Sequence, residues 1–496
     1  MPLLTVALLL VGCFSDQTTL DVNPISEILI DSTSIKSEYN IYKNETVSIT
    51  PRFSQTNTDK AVSYTWEIDL KTYSTEPEFV YTGEKLGSMN CRLILENEDG
   101  RSFYAFTLNV NSPYEEGYTI LSQDADGRSM LSFMQKPIDT DEPAYFYDYD
   151  CFTVNNPDLA FASHAADLLQ SGGRLIIACQ GGDDASDLPT VYYLNEKTMV
   201  AENVLTVGEY ADFKPTLLGI PSVDASGVAY PIICANGKVY EFSTTEGAIV
   251  KPSKLPYTYA QNMIVRDAGS GWSFEIILWD SEINALCEIY NGYGPYFCSK
   301  NYHQTRATCT GTANYFNGKT FKRMTLVRKT KAQLATSSPE IIVLAAANAS
   351  LTQKVILNSA FWTYNSDLAE TTLTDNGGFK LACMGTCPIT ESTPVIANQT
   401  YYSLLFADGN KVRRWNYTST ALITAADVLA TVGTSSAVIT AFEMSSDHTK
   451  TYVCFYEPEQ SGKNGSMWVI DTDKGTILEK YDNICYRPVK VIYKNK

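Results

Sequence analysis

The sequence contains three histidines, and their positions decide whether histidine-dependent chemistry is expected. His164, His303 and His448 lie far apart and form no His-Glu-x-x-His pair of the kind that holds zinc on one helix face. The sequence also lacks Gly-x-Ser-x-Gly, the motif that exposes a nucleophilic serine between a strand and a helix. We therefore expect neither a zinc protease nor a serine hydrolase, and we predict no catalytic residue.

Three short motifs suggest ligand chemistry but match a simpler structure better. Asn317-Gly318-Lys319-Thr320 has its upstream glycine at the wrong spacing for a phosphate loop, which favours a turn. Asp124-Ala125-Asp126-Gly127 lacks the distal acidic ligands of a calcium loop, which favours a hairpin turn. Cys383-Met384-Gly385-Thr386-Cys387 has no second Cys or His pair nearby, so Cys383 and Cys387 form either a disulfide or two free thiols. We expect no metal and no cofactor.

Clusters of tyrosine beside turn residues are the better candidates for binding. A tyrosine ring offers flat apolar area and a polar tip, which suits sugars, peptides and protein surfaces. The alternative, that these rings pack on strand faces, stays open. The candidate contact residues are Tyr145, Tyr147, Tyr149, Tyr257, Tyr259, Tyr290, Tyr293 and Tyr296.

The charge of the chain argues against a nucleic-acid ligand. The formal net charge over 496 residues is -18, and a phosphate-tracking surface needs clustered Lys and Arg. The densest basic segment, residues 319–331, is interrupted by apolar residues. We interpret it as a strand with a solvated edge.

The first residues resemble the signal of a bacterial lipoprotein. An apolar stretch over residues 3–11 is too short to span a bilayer and ends in Gly12-Cys13, which is similar to a lipobox. This resemblance implies that residues 1–13 are a signal peptide with its lipobox and that Cys13 carries the lipid. Residues 14–25 are polar and are interpreted as a tether. The other eleven cysteines are odd in number, so they cannot all form disulfides.

Residues 26–111 have the pattern of a compact β-sandwich. Short alternating runs are separated by turn residues, including Glu98-Asp99-Gly100 before a long closing strand. The run over residues 63–68 alternates and places Trp66 between two sheets, as in immunoglobulin-like domains. The segment resembles a PKD domain.

From residue 114 to residue 496 the chain repeats a strand–turn–strand unit. Seven such units predict a seven-bladed β-propeller, and unrelated hairpins in two sandwiches are the alternative. Residues 158–170 are the best candidate for an amphipathic helix. The predicted pairs join residues 118–122 to 129–134, 175–179 to 191–194, 230–234 to 239–242, 274–279 to 285–290, 341–345 to 359–364, 402–406 to 412–417, and 452–456 to 466–470.

The whole chain resembles the PKD-like family lipoproteins of Bacteroidota. The resemblance depends on Cys13, on the PKD-like region with Trp66, and on the junction over residues 114–122. It implies a non-enzymatic accessory subunit at the outer membrane, facing the cell surface. Its implied partners are a TonB-dependent barrel and a substrate-binding lid lipoprotein of the starch-utilisation type, with an oligopeptide or oligosaccharide as ligand.

The same resemblance implies one covalent modification, and two alternatives for the function remain. Asp31-Ser32-Thr33 is similar to the O-glycosylation motif of this phylum, which implies a glycan on Ser32. A propeller hydrolase or lyase acting on a surface polymer remains an alternative, because carboxylate pairs form only in three dimensions. An adhesion or structural module is the other.

Overall fold

The structure is a computed structural model, and it divides the chain into two compact units, Met1–Ser112 and Pro113–Lys496. The residues that it describes are 25–135, 145–208, 213–219, 232–236, 238–243, 248–250, 263–267, 274–280, 285–290, 318–337, 340–365, 370–375 and 378–494. Cys13 and almost all of the expected tether lie outside these residues.

The first unit is a β-sandwich of short strands closed by two long ones. Its strands are β1 (Ile28–Ile30), β2 (Glu38–Tyr42), β3 (Thr46–Ile49), β4 (Phe53–Gln55), β5 (Ser63–Ile68), β6 (Lys71–Ser74), β7 (Phe79–Thr82), β8 (Gly87–Asn97) and β9 (Gly100–Asn111). A five-stranded sheet has the order β2-β9-β8-β5-β6, and β3 pairs with β7 while β1 pairs with β4. The predicted turn at Glu98-Asp99-Gly100 is the β8–β9 hairpin.

Trp66 is the centre of the core of this unit. It lies on β5, is fully buried, and its ring centroid is 5.1 Å from that of Phe79 on β7, a strand of the other sheet. The indole Nε1 donates a hydrogen bond of 2.9 Å to the carbonyl of Glu76, so the buried polar group is satisfied. The expectation that Trp66 packs between two sheets is confirmed.

The second unit forms six sheets in the described residues, and they make up the seven blades of a propeller because one nine-stranded sheet joins two blades through a parallel pair of strands. Blade 1 contains β10 (Gly117–Gln123), β11 (Ser129–Gln135) and β12 (Tyr145–Asp148); blade 2 contains β13 (Ala165–Ser171), β14 (Arg174–Cys179), β15 (Thr190–Asn195) and β16 (Ala201–Thr206); blade 3 contains β17 (Pro215–Gly219), β18 (Ile232–Ala235), β19 (Lys238–Ser243) and β20 (Ala248–Val250); blade 4 contains β21 (Met263–Asp267), β22 (Phe274–Asp280) and β23 (Ala285–Tyr290). Blade 5 contains β24 (Thr320–Arg328), β25 (Glu340–Asn348), β26 (Leu351–Asn365), β27 (Glu370–Asp375) and β28 (Lys380–Met384); blade 6 contains β29 (Val395–Asn398), β30 (Ser403–Asp408), β31 (Lys411–Asn416) and β32 (Asp427–Thr431); blade 7 contains β33 (Val438–Met444), β34 (Lys450–Tyr456), β35 (Gly465–Asp471) and β36 (Ile477–Cys485).

The last strand, β37 (Arg487–Lys494), closes the ring by pairing with β10 of blade 1. It is the innermost strand of that blade, whose order is β12-β11-β10-β37. The innermost strands of the seven blades are therefore β37, β13, β17, β21, β24, β29 and β33. Each one contacts the next, and β33 contacts β37, so the described contacts complete a ring. A closed ring protects the sheet edges that an open sheet would expose.

Apolar runs in the middle strands follow from this architecture, because a propeller blade packs against a neighbouring blade on each face. On β14, Leu175 and Ile177 pack in one cluster with residues of blade 1. Ile176 and Ala178, which point the other way, pack in a second cluster with residues of blade 3. A strand that must fill two cores has no polar face, which is why the sequence shows runs rather than alternation.

Six of the seven predicted strand pairs are confirmed by the ladders. The pair for blade 5 is wrong, because Ile341 lies opposite Leu357 and Ala345 opposite Gln353, so residues 341–345 pair with the first half of β26 and not with residues 359–364. The predicted helix over residues 158–170 is also wrong, since residues 165–171 form β13.

Helices are short in the described part of the chain. They are α1 (Cys151–Asn155), α2 (Lys331–Leu334) and a 3₁₀ turn (Ile423–Ala425). None of these described helices has the length and hydropathy needed to cross a membrane.

Candidate functional site

Five of the seven innermost strands contain a β-bulge close to their first residue, in the described ladders. In each bulge the innermost strand has one extra residue that is not paired with a residue of the neighbouring strand. The bulge increases the local twist and changes the direction of the side chain. The extra residues are Ala166 on β13, Thr216 on β17, Lys322 on β24, Thr440 on β33 and Val489 on β37.

The described contacts place the starts of these strands at one end of the ring, which we call the mouth. β24 and β29 pair in parallel. Arg328 and Glu443 bring the last residues of β24 and β33 together. Between blades 7 and 1, Lys463 of the β34–β35 loop lies 3.7 Å from the ring centroid of Tyr149, which follows β12.

Two cavities open at the mouth, and bulged residues line both. The first has a volume of about 280 Å³ and is lined by Gln123, His164, Ala165, Ala166, Gln180 and Thr216. The second has a volume of about 410 Å³ and is lined by Thr320, Phe321, Lys322, Thr390, Glu391 and Ser392. The smaller one is below the roughly 300–1,000 Å³ that is usual for a pocket enclosing a whole small ligand. Polar side chains dominate both linings, so the mouth suits hydrogen-bonded groups.

The wall of the smaller cavity depends on a tight contact between His164 and Gly127. His164 has a φ of 57°, and its Nδ1 lies 3.0 Å from the carbonyl oxygen of Gly181. A Cβ on Gly127 would lie 2.5 Å from the His164 Nε2, and the φ of Gly127 is 84°, so only glycine fits this hairpin turn. The predicted hairpin turn at Asp124-Ala125-Asp126-Gly127 is confirmed, with Asp124 Oδ1 accepting from the amides of Asp126 and Arg128.

Asp167 joins three blades beside the same cavity. Its Oδ1 lies 3.3 Å from the Nζ of Lys490 on β37, and its Oδ2 accepts 2.9 Å from the amide of Leu218 on β17. The carboxylate is buried while Lys490 is partly exposed. A buried carboxylate is retained only when it is paired and hydrogen-bonded, and Asp167 meets both conditions.

Two polar atoms near the bulges have no hydrogen-bond partner in the described part of the chain. They are Oγ1 of Thr440, at the bulge of β33, and Nε of Arg323, one residue after the bulge of β24. The Arg323 guanidinium donates to the backbone carbonyl of Glu391 through another nitrogen, and burial lowers the pKa of Arg323 to about 10. Buried polar atoms without partners are rare in native structures, and they are often found where a ligand or water binds.

The basic segment over residues 319–331 has a different environment from the one expected. The strand is confirmed as β24, but its residues form the innermost strand of blade 5, and Lys329 is buried beyond its end, with Nζ 3.1 Å from the Ser337 Oγ. Thr320 and Arg328 at the two ends of this strand are exposed, and the buried residues lie between them, so the strand is solvated in part. Gly318, in the turn before β24, has a φ of 72°.

Of the eight candidate tyrosines, the structure describes the side chain of Tyr149, which is 46% exposed. Tyr145 and Tyr147 are on β12 and Tyr290 ends β23, but their side chains are outside the description. The other four lie outside the described residues: Tyr257, Tyr259, Tyr293 and Tyr296.

The remaining candidate residues have separate positions. Cys383 and Cys387 are free thiols, which is the second of the two alternatives, and burial followed by the neighbouring Cys387 raises the pKa of Cys383 to about 11. Ser32 is exposed in a turn of the first unit, next to Asp31, which accepts 2.6 Å from the Thr33 hydroxyl.

Sequence reasoning missed the bulges. A single inserted residue leaves no compositional signature, and threonine, found at Thr216 and Thr440, is common in strands. The one available signal was the basic segment around Lys322, which interrupts a strand that should be apolar.

Comparison with known proteins supports the first unit directly. The family model described as a PKD-like domain matches residues 30–97. No curated protein matches the sequence.

Solved structures with similar folds have low sequence identity. A quinonprotein alcohol dehydrogenase-like protein from Bacteroides thetaiotaomicron is 16% identical with a TM-score of 0.45, covering 95% of this chain and 99% of that one. A hypothetical selenium-binding protein from Sulfolobus tokodaii is 9% identical with a TM-score of 0.39, covering 76% and 93%. A prolyl endopeptidase structure is 12% identical with a TM-score of 0.35, covering 64% and 42%.

Proposed function

We propose that this protein is a non-enzymatic surface lipoprotein that captures substrate for an outer-membrane importer. The observation that carries the proposal is the mouth, where bulges recur at the starts of five innermost strands and two polar cavities open. A recurrent departure from regular pairing at one end of a rigid ring is typical of a binding face.

Structural roles for His448 and Cys179 favour binding over catalysis. His448 is buried, shares a hydrogen bond of 2.8 Å with the Thr400 hydroxyl, and has its pKa lowered by burial. Burial raises the pKa of Cys179 to about 12, which keeps the thiol protonated and weakly nucleophilic. Neither His448 nor Cys179 lines either of the two cavities at the mouth.

The anchor and the position at the cell surface belong to the same proposal. The lipobox-like Gly12-Cys13 supplies the lipid attachment site, and the PKD-like unit serves as a spacer. The exposed turn at Ser32 is accessible to an O-glycosylating enzyme. The importer partners are a TonB-dependent barrel and its lid lipoprotein, with an oligopeptide or oligosaccharide as cargo.

A detergent pull-down of the tagged full chain from native membranes tests the proposal. We expect a barrel and a lid lipoprotein to co-purify in reproducible proportion with the bait. An unrelated lipoprotein with the same tag, expressed at the same level, is the control. Recovery of the bait without either importer subunit would contradict the accessory role.

A further inference from the structure

The innermost strands have a charge opposite to that of the chain. The whole chain has 38 Lys and Arg against 56 Asp and Glu. In the described innermost strands the basic residues are Arg266, Lys322, Arg323, Arg328, Arg487, Lys490 and Lys494, and the acidic residues are Asp167, Asp267 and Glu443. A cleft lined mainly by one sign of charge, between walls of low dielectric constant, focuses the field and concentrates ions of opposite sign.

Ion pairs account for two of the acidic residues, and Glu391 lies close enough to Arg323 on β24 to offset its charge. Asp167 pairs with Lys490, and Glu443 pairs with Arg328. Lys322 has no carboxylate within salt-bridge distance in the described part of the chain, and it lines the larger cavity. The positive charge that remains in the larger cavity is therefore that of Lys322.

We propose that the mouth binds ligands through a carboxylate group and that Lys322 is the charged residue that contacts it. The inference rests on the proposed capture function and names the chemical class of the ligand. Lys322 is the extra residue of the β24 bulge, so its side chain is re-aimed from the regular ladder. An ammonium so placed forms a charge-assisted hydrogen bond that is stronger than a neutral one.

The other groups in the cavity fit a single negative charge. The hydroxyls of Thr320, Thr390 and Ser392 can donate to carboxylate oxygens, and Thr390 Oγ1 and Ser392 Oγ lie 3.2 Å apart. Glu391 lines the same cavity and offsets the charge of Arg323, so the remaining positive charge is that of Lys322, which one carboxylate balances.

Two matched pairs of probes test the inference by calorimetric titration of the full chain purified in detergent. The first pair is digalacturonate and the neutral disaccharide galactobiose. The second is N-acetyl-trialanine and its C-terminal amide. In at least one pair, the acidic probe is expected to bind about tenfold more tightly than the neutral probe. The pair that shows this difference identifies the carboxylate of the ligand as that of a sugar acid or of a peptide C-terminus.

Lys322→Gln tests the residue, and Lys331→Gln is the matched control. Lys331 is an exposed lysine on α2, beyond the other end of the same strand. Lys322→Gln is expected to weaken the acidic probe about tenfold, and Lys331→Gln by less than about twofold. Raising NaCl from about 20 to about 200 mM should weaken the wild type and leave Lys322→Gln nearly unchanged, because screening removes an interaction that the variant already lacks.

Every other outcome contradicts the inference, and the outcomes can be told apart. Equal binding of acidic and neutral probes contradicts the carboxylate class but leaves substrate capture intact. Loss of binding in both lysine variants, or in neither, contradicts the role of Lys322. Absence of binding by all four probes contradicts the inference and substrate capture together, while co-purification of importer subunits would still support docking. Circular dichroism of both variants shows whether the fold is retained.

Discussion

Arg328 on the innermost strand of blade 5 reaches Glu443 on the innermost strand of blade 7, with 2.6 Å between Nη1 and Oε1. Blade 6 lies between these two blades in the ring, so the ion pair joins two blades that are not neighbours. Glu443 is 8% exposed and also accepts 2.9 Å from the amide of Met444. This ion pair braces the ring at the end opposite to the mouth.

Removal of Arg328 should destabilise the propeller. Arg328→Met leaves the buried Glu443 carboxylate without its cation, and we expect the free energy of unfolding to fall by about 2 kcal/mol, less than for a fully buried pair because Arg328 is partly exposed. Urea denaturation measures the change. The double variant Arg328→Met/Glu443→Gln should be more stable than the sum of the two single losses predicts. If the free energy lost by the double variant equals the sum of the losses of the two single variants, the residues do not interact.

Trp66 should carry more of the stability of the first unit than any exposed aromatic residue. Trp66→Ala removes a fully buried side chain in contact with Phe79 and Phe106, and a loss of about 3–5 kcal/mol is expected. Phe103→Ala, at a residue that is 54% exposed, should cost less than about 1 kcal/mol. Denaturation of the full chain by urea compares them, and similar losses would argue against the Trp66 core.

Lys354 should make stability rise with pH above neutrality. It is 2% exposed, its Nζ donates to the carbonyls of Tyr417 and Ser419, and burial, followed by repulsion from Lys380, lowers the pKa of Lys354 to about 8. Between about pH 8 and the ordinary lysine pKa of about 10.4, the unfolded chain holds the proton that the folded chain has lost. The unfolded state then binds more protons, so the contribution of Lys354 to stability increases with pH.

The test compares the wild type with Lys354→Met from pH 7 to pH 10. The stability of the wild type relative to the variant should rise by about 2 kcal/mol over this range, because other titrating groups cancel in the difference. Lys331→Met is the control and should show no such rise. A flat difference for Lys354→Met would contradict the account of its burial.

Cys13→Ala should release the protein from membranes. In this account the lipid on Cys13 is the covalent anchor, and docking to the importer alone holds less of the protein, so loss of the lipid lowers membrane attachment. Fractionation of cells and detection in the soluble fraction measure the effect. Cys387→Ala, at a free thiol of the propeller, should stay with the membrane. Retention of the Cys13→Ala protein at the wild-type level would contradict lipidation there.

The strands of the propeller were predictable because burial on two faces requires apolar runs. The run Leu175-Ile176-Ile177-Ala178 shows this pattern, and its pairing with β15 was predicted. The pairing within blade 5 was not, since β26 is 15 residues long and contains two apolar stretches, either of which fits residues 341–345. The helix over residues 158–170 failed for a related reason, because Ala165, Asp167 and Leu168 are buried in a strand that also fits a helical period.

The site was less predictable than the fold. Tyrosine clusters indicated binding in general, but the mouth is defined by bulges, which depend on how two strands pair and not on which residues they contain. The pairing of Asp167 with Lys490 joins positions 323 residues apart in sequence, and no local pattern indicates it.

Hydrogen exchange with and without ligand tests the central claim most directly, since it identifies the end of the ring that binds. With the two acidic probes added, the account predicts slower amide exchange at the bulges, in residues 165–167, 215–217, 320–323 and 439–441. The hairpins at the opposite end, residues 195–199 and 445–449, should exchange as before. Protection confined to those hairpins, with the bulges unchanged, would contradict the mouth as the binding face.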